Sequence, residues 1–439
     1  MIDILLLQIP DMHTWIFSNK DENRMKKLKM CPLGIMYLAS YARKNGFTPA
    51  VIDLNMYMTR EDRKRIIEEF ILENNPKVIG VSSYTADYDE ARYIFRVCKQ
   101  IAPQIPILYG GPHATFTYEE SLIKNPIDLV LRFEGERCLV NVLNYYIHGI
   151  GALEQIKGIA YKDNGKVIKN LREPFITDLD ELPFPARDLI DINRYISPGT
   201  ILTSRGCIGR CIFCTASAMS GGNHRVRSVD NIIAEIEEMY FRYNIRHFNF
   251  VDDTFTVYKE RNMGICEKLK KIGDGDITFD CESRVDCVDQ ELLNTMKAAG
   301  CIGIQFGVES GDQFILKEIK KGINLQQVRM AVDMARKAGI GHIFCGFMIG
   351  HPEDTYESIQ NTINFMLELK KQGVALGLSI STPFPGTYLY NNLEKLGCKL
   401  LTKKWVNYSL NQCIYETKHL SAQDIKKLHT KASEIVYNA

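Results

Sequence analysis

Cys207, Cys211 and Cys214 stand in the run Ser204-Arg205-Gly206-Cys207-Ile208-Gly209-Arg210-Cys211-Ile212-Phe213-Cys214. Three thiols within eight residues can serve one metal centre only if the loop between them wraps around it, and Gly206 and Gly209 permit the turns this needs. Zinc would want a fourth Cys or His close by, and the nearest histidine, His224, lies ten residues on. An iron–sulfur cluster is satisfied by three protein thiolates, which leave one iron open to an exogenous ligand. The bland alternative is three buried cysteines together by chance, although thirteen cysteines over 439 residues seldom cluster so closely. Arg205 and Arg210 flank the triplet and either offset thiolate charge or point to solvent.

Such a loop needs a scaffold. In the first third of the chain, the runs 2–7, 50–54, 78–82, 105–109 and 129–131 are apolar almost throughout, as strands covered on both faces are. Helical stretches are expected at 33–44, 60–73, 87–101, 118–123 and 136–146. Five βα repeats over 1–150 predict an α/β, doubly wound domain, Rossmann-like or flavodoxin-like, with its ligand beyond the carboxyl ends of the strands. At those ends stand Ser82-Ser83-Tyr84-Thr85, Gly110-Gly111-Pro112-His113-Ala114-Thr115 and Phe133-Glu134-Gly135-Glu136. Turn chemistry accounts for any one of them; three at one sheet edge predict a binding face.

A hairpin-like stretch with the turn Asn164-Gly165 comes next, then an acidic, proline-bearing run from Glu173 to Asp188. Together they predict a linker over 151–196. Beyond it, strands are expected at 200–204, 247–251, 278–281, 303–308, 341–348 and 375–381, with helices at 229–243, 258–272, 289–299, 325–338 and 355–371. Six βα units predict a partial (β/α)6 barrel over 197–388 with catalytic groups where strands end, followed by a small C-terminal subdomain over 389–439.

Composition narrows the function. Lys and Arg number 54 against 53 Asp and Glu, so no global field draws the chain to nucleic acid, which favours small substrates. No apolar run approaches the ~20 residues of a spanning helix, and the first ten residues read as a strand rather than a signal peptide. A cytoplasmic location is expected, where thiols are ligands or packing rather than disulfides.

The Cys-x3-Cys-x2-Cys spacing, with the aromatic Phe213 before the last Cys and a strand opening a βα barrel just upstream, resembles the radical S-adenosylmethionine (SAM) superfamily. The resemblance implies a 4Fe–4S cluster on Cys207, Cys211 and Cys214, whose open iron binds the amino and carboxyl groups of SAM. Reduction, by a flavodoxin or ferredoxin, then gives a 5′-deoxyadenosyl radical. It further implies SAM contacts from Phe213; from Asp252 and Asp253 in Phe250-Val251-Asp252-Asp253-Thr254-Phe255, near the amino group; from Ser283 and Arg284, at ribose or carboxylate; and from Glu309 and Ser310 in Gly307-Val308-Glu309-Ser310-Gly311, at ribose. Gly346-Phe347-Met348-Ile349-Gly350-His351-Pro352-Glu353 and Pro383-Phe384-Pro385-Gly386-Thr387 resemble the later strand-end motifs.

A doubly wound domain, an acidic Leu-Pro-Phe-Pro linker and such a barrel together resemble the cobalamin-binding subclass, which includes many methylases of unactivated carbon. That likeness implies a corrinoid between sheet edge and barrel mouth, contacted by Ser82, Ser83, Tyr84, Thr85, Gly110, Gly111, Pro112, His113, Glu134, Gly135 and Glu136. Two positions depart from the subclass. Asp11-x-His13 is half of a cobalt-ligating motif, with Ile16 in place of Gly, so base-off binding without a protein imidazole is expected and His13 as lower ligand is the alternative. Phe133 stands where a glycine is usual. The implied reaction is hydrogen abstraction followed by methyl transfer from methylcobalamin. Cyclisation, rearrangement or coupling, and a non-catalytic iron–sulfur or corrinoid carrier, are the alternatives. A small metabolite, a lipid or a short peptide would be the substrate. Cys281 and Cys345, in barrel strands, are expected to pack in the core, with a place in the cavity as hydrogen donors the alternative.

Overall fold

The computed structural model describes residues 1–10 and 28–438; Asp11, His13 and Ile16, the half motif for a cobalt ligand, lie outside the described residues. The chain divides into two compact units, Met1–Pro198 and Gly199–Ala439.

The first unit contains β1 (Ile4–Gln8), β2 (Leu28–Met30), β3 (Pro49–Asp53), β4 (Val78–Ser82), β5 (Ile107–Gly110), β6 (Leu129–Leu131), β7 (Ile159–Asp163), β8 (Lys166–Lys169) and β9 (Tyr195–Ser197). Its helices are α1 (Leu33–Lys44), α2 (Arg60–Asn74), α3 (Tyr88–Ile101), α4 (Gly111–Phe116), α5 (Tyr118–Lys124) and α6 (Glu136–Leu143). One sheet runs β3-β1-β4-β5-β6-β7-β8, parallel from β3 to β6. This is the flavodoxin-type order, which reverses beside β1 and places a crevice beyond the strand carboxyl ends. Ile35, Ala39 and Ala42 of α1 pack with Ile4, Leu6, Leu108 and Leu129 into the core, and Arg43 and Lys44 close the helix where its dipole favours cations.

The hairpin expected in the linker belongs to this sheet. β7 pairs antiparallel with β6, and β8 with β7, so the hairpin covers an edge that β6 would otherwise expose. The run that follows is also fastened to the first unit: Ala186 N donates to Met36 O at 3.2 Å, Arg43 grips Asp188 with two bonds at 3.1 and 3.0 Å, and the buried Tyr195 hydroxyl donates to Asp53 at 2.8 Å. The first unit therefore runs past 150 through the expected linker to Pro198.

The second unit contains β10 (Thr200–Ile201), β11 (Ser204–Arg205), β12 (Arg225–Val226), β13 (His247–Phe250), β14 (Thr278–Ser283), β15 (Cys301–Glu309), β16 (His342–Ile349), β17 (Ala375–Ile380), β18 (Lys399–Leu400) and β19 (Tyr415–Glu416). Its helices are α7 (Thr215–Ser220), α8 (Val229–Tyr243), α9 (Lys259–Leu269), α10 (Gln290–Ala298), α11 (Gln313–Glu318), α12 (Leu325–Lys337), α13 (Tyr356–Lys370), α14 (Tyr388–Asn391) and α15 (Ala422–Asn438). Six parallel strands follow one another as β10-β13-β14-β15-β16-β17. Asn324 with Gln327, and Thr355 with Ser358, form capping boxes that start α12 and α13. The strand expected at 200–204 breaks in two: β10 joins the large sheet, while β11 turns away to pair antiparallel with β12. Residues 389–439 are part of this unit rather than a separate subdomain, because α15 packs on α13 and β17, and His429 Nε2 meets Leu378 O at 3.3 Å. Among the described residues, no helix is long and apolar enough to cross a membrane.

Candidate active site

The three cysteines lie in the loop that leaves β11 and enters α7, and all three are half-buried free thiols. Gly206 has φ +89°, and a Cβ there would collide with Asn223 O, so only glycine lets the chain turn. Gly209 N donates to Cys207 Sγ at 3.3 Å; a Cβ at Gly209 would sit 3.4 Å from Cys207 Sγ, 3.7 Å from Cys211 Sγ and 3.2 Å from Arg284 Nη1. This is a cradle in which thiols and a guanidinium face one bare backbone. Burial raises both Cys211 and Cys214, the latter to about 11, while Lys321 pulls Cys211 down and the N–H groups of Ala216 and Ser217 pull Cys214 down. A metal centre that takes them as thiolates reverses that penalty. Among the described residues, no three His, Cys, Asp or Glu side chains are gathered as ligands of a single ion would be. Thiolates that cap three separate irons need not converge in that way, and the cradle fits a cluster rather than zinc. His224, the zinc alternative, stacks on Tyr258 at 5.5 Å.

The strand ends supply charges around this cradle. Arg284, buried at the end of β14, is pinned by Asp286 (2.9 and 2.8 Å) and by Lys321 O (3.0 Å). Its Nη1 stands beside the cluster loop, and against the burial that raises the Cys287 thiol, the guanidinium pulls that thiol down through a hydrogen bond. Glu309, at the end of β15 with φ +75°, accepts from the buried Lys321 Nζ at 2.8 Å. Asp253 is solvent-accessible, yet surrounding protein and then Asp252 push its carboxyl up to about 6. Phe213 lies 5.7 Å from His351, whose imidazole burial holds down at about 4.

Three residues expected at the ligand are occupied elsewhere. Asp252 is fully buried and accepts from Thr203 N at 3.0 Å, from Thr203 Oγ1 at 3.0 and 3.1 Å, and from Ser204 Oγ. It holds the two residues that lead into the cluster loop instead of facing an ammonium. Ser310 bonds Thr362 Oγ1 at 3.1 Å on α13, and Ser283 Oγ is engaged by Thr256 Oγ1 and Arg284 O. Conversely, Lys321, Asp286 and Thr254, whose Oγ1 stands 3.5 Å from Cys207 Sγ, were not found by reading strand ends. Lys321 lies in the loop after α11, and its one signal is that a lysine is rarely buried without a partner. Cys281 and Cys345 are buried on the same face of the sheet as Phe279 and Phe347. Eight cysteines are buried in all: Cys31, Cys98, Cys138, Cys266, Cys281, Cys301, Cys345 and Cys398. Cys287 and Cys413, like the triplet, are half-buried.

In the first unit, the expected loops do meet at the carboxyl ends of β4, β5 and β6. Gly111 (φ +95°) lets α4 start so close to β4 that a Cβ would lie 2.7 Å from Ser82 Oγ and 2.9 Å from Ser83 O. Ser83 Oγ bonds Tyr109 OH at 2.5 Å, His113 Nδ1 meets Thr85 Oγ1 at 3.3 Å, and Glu134 accepts from Ile176 N at 2.9 Å. Ser83, Thr85, His113 and Glu136 are buried, while Ser82, Tyr84, Gly110, Gly111, Pro112, Glu134 and Gly135 keep some exposure. Phe133 has φ +66°, the left-handed region that a glycine there would enter freely; its ring sits between Phe116 (6.0 Å) and Phe175 (6.4 Å). A low, glycine-built edge of this kind fits a flat, bulky ligand.

Loop, cation and strand ends together define an iron–sulfur enzyme that holds a charged small molecule beside its cluster. The chain belongs to the radical SAM superfamily, in its B12-binding branch: the Radical SAM superfamily profile matches residues 201–366, and that of the B12 binding domain matches 27–143. It is 35% identical over 411 residues to an uncharacterized methyltransferase of Pyrococcus horikoshii, covering 91% of this chain and 86% of that one. It is 26% identical over 375 residues to the anaerobic magnesium-protoporphyrin IX monomethyl ester cyclase of Rubrivivax gelatinosus, covering 82% of this chain and 66% of that one. In fold, it resembles the radical SAM methyltransferase TsrM of Kitasatospora setae, solved with cobalamin and a 4Fe–4S cluster bound: TM-score 0.77 and 16% identity over 100% of this chain and 89% of that one.

Proposed function

We propose that the protein is a cobalamin-dependent radical SAM methyltransferase acting on an unactivated carbon of a small substrate. The observation that carries this reading is the buried Arg284, fixed by Asp286 with Nη1 beside the three-thiol loop. A cation already oriented there binds the SAM carboxylate with little rearrangement. Cys207, Cys211 and Cys214 would hold the cluster, Asp253 or a strand-end carbonyl would accept from the SAM ammonium, and Glu309, steadied by Lys321, would meet a ribose diol. Ser82, Tyr84, Gly110, Gly111, Pro112, Glu134 and Gly135 would line the corrinoid edge. When bound, the cluster and SAM supply a carbon-centred radical, and the corrinoid supplies a methyl group. Thr254 beside Cys207 and the Asp252 clamp keep the loop in place while electrons arrive from a flavodoxin or ferredoxin.

Anaerobic reconstitution with iron, sulfide and hydroxocobalamin, then dithionite and SAM, is expected to yield 5′-deoxyadenosine and a corrinoid absorption spectrum. Absence of 5′-deoxyadenosine would sink the radical assignment. The cyclase relative favours a second reading, ring closure without methylation. Incubation with methyl-labelled SAM and cell extract separates the two: label in a small-molecule product supports methyl transfer, and an unlabelled product two hydrogens lighter supports cyclisation.

A further inference from the structure

Burial alternates with period two along β13, β14 and β16, and along β15 from Ile304 onward. Phe248, Phe250, Phe279, Phe306, Ile343 and Phe347 are buried on the helix-covered face. The opposite, concave face is not filled by the layers of bulky branched side chains that pack a closed βα barrel. Pairing across the strands resolves it into rungs. One, below the pair Met348 and Ser379, is Gly307, Gly346 and Gly377; a Cβ at Gly377 would lie 2.5 Å from Phe344 Cζ, so the Phe344 ring covers part of that bare backbone. A lower one is Asn249, Asp280, Gly303 and His342, with the pair His247 and Thr278 beneath it on β13 and β14.

In this lower rung, Asp280 is held from one side. Its Oδ2 meets His247 Nε2 at 3.0 Å and accepts from Asn249 Nδ2 at 2.7 Å, while His247 Nδ1 meets Thr278 Oγ1 at 2.9 Å. Among the described residues, Asp280 Oδ1 and both ring nitrogens of the exposed His342 have no hydrogen bond, and Asn249 Oδ1 is buried without a partner. Gly303 lets Asp280 and His342 approach from either side: a Cβ there would lie 3.2 Å from Asp280 Cβ and 3.5 Å from His342 Cβ. The strands β13 to β17 contain no Lys or Arg, so on this sheet Asp280 is faced by the imidazoles of His247, at 3.0 Å, and His342. A fixed carboxylate with one oxygen unbonded, an orphaned amide oxygen and an open imidazole on adjoining strands are complementary to one group in particular, an ammonium with three hydrogens to donate.

We propose that this rung is a recognition site for a primary amine on the substrate. The inference rests on the radical reading above for where reaction occurs. Four strand residues, about 13 Å, separate Gly303 from Gly307. The substrate is therefore an elongated amine whose ammonium sits at the Asp280 rung while its reacting carbon stays near the strand ends.

Isothermal titration of the full, anaerobically reconstituted chain with 6-aminohexan-1-ol, hexane-1,6-diol and 6-hydroxyhexanoate tests this without turnover. The amine is expected to bind at least tenfold more tightly than either isostere. Asp280→Asn should remove that preference, and His342→Ala, at an exposed position, should weaken it threefold or more. Equal affinity for amine and diol, or an undiminished preference in Asp280→Asn with unchanged circular dichroism, overturns the proposal. Amine selectivity in a protein that makes no 5′-deoxyadenosine would overturn the functional reading and leave the amine site standing.

Discussion

Asp252 shows how far a residue's place in a motif can differ from its work. Its position after β13 marked it as a ligand contact, yet both its oxygens are taken by Thr203 and Ser204. Asp252→Ala strands three buried donors and is expected to destabilise the chain by about 3 kcal/mol in urea titrations. It should also lower iron retention after gel filtration. Lys321→Met leaves Glu309 without its cation and is expected to weaken SAM binding about tenfold by equilibrium dialysis, whereas the exposed neighbour Lys320→Met should match the wild type. Asp354 carries a pH signature. Burial raises its pKa from the ordinary 3.8 to about 6, against bonds from Ser358 Oγ and the N–H groups of His351 and Gly350. Between those values the folded chain keeps a proton that the unfolded chain has lost, so stability falls as pH rises from about 4 to about 6 and is level above. Asp354→Asn should flatten that slope, changing the difference from wild type by about 2 kcal/mol between pH 4.5 and pH 7 in urea titrations of the cluster-free chain. At this scale the thiols were legible because their spacing is local. Lys321 was not, since its partner lies twelve residues away and only the fold joins them.

At the scale of elements, what the sequence makes plain is whatever a short window contains. The strands β13 to β17 and the helices between them announce themselves by apolar runs and caps. The Asn164-Gly165 turn announces a hairpin but says nothing of its neighbour, and so the pairing of β7 with β6 emerged only in the structure. The break between β10 and β11 was hidden for a related reason: 200–204 is one continuous run, and what divides it is the pairing of β11 with β12. That break sends the chain into the cluster loop, and Gly206 completes the turn. Gly206→Ala is expected to leave the far-ultraviolet circular dichroism intact while cutting iron incorporation to a tenth or less, because its Cβ has no room beside Asn223 O.

Over the whole molecule, each unit has its own sheet and core, and the segment before Gly199 is tied to the first of them. Asp53, buried and raised in pKa chiefly by that burial, depends on the Tyr195 hydroxyl and Asn55 for its hydrogen bonds. In Tyr195→Phe, hydrogen exchange is expected to quicken in β2, β9 and the end of β3 and to stay unchanged in β13 to β17. Faster exchange across both units would show that the tie stabilises more than the first unit. The distribution of thiols acts at the same scale. Eight cysteines are sealed inside the two units, and burial pushes several of their pKa values to about 12, so oxidants meet the cluster loop first, with Cys287 and Cys413. Air would then strip this protein of its metal centre long before it damaged the scaffold. For a cell passing between oxygen and its absence, such a chain is salvageable stock: reduced and reloaded, it returns to service without new synthesis.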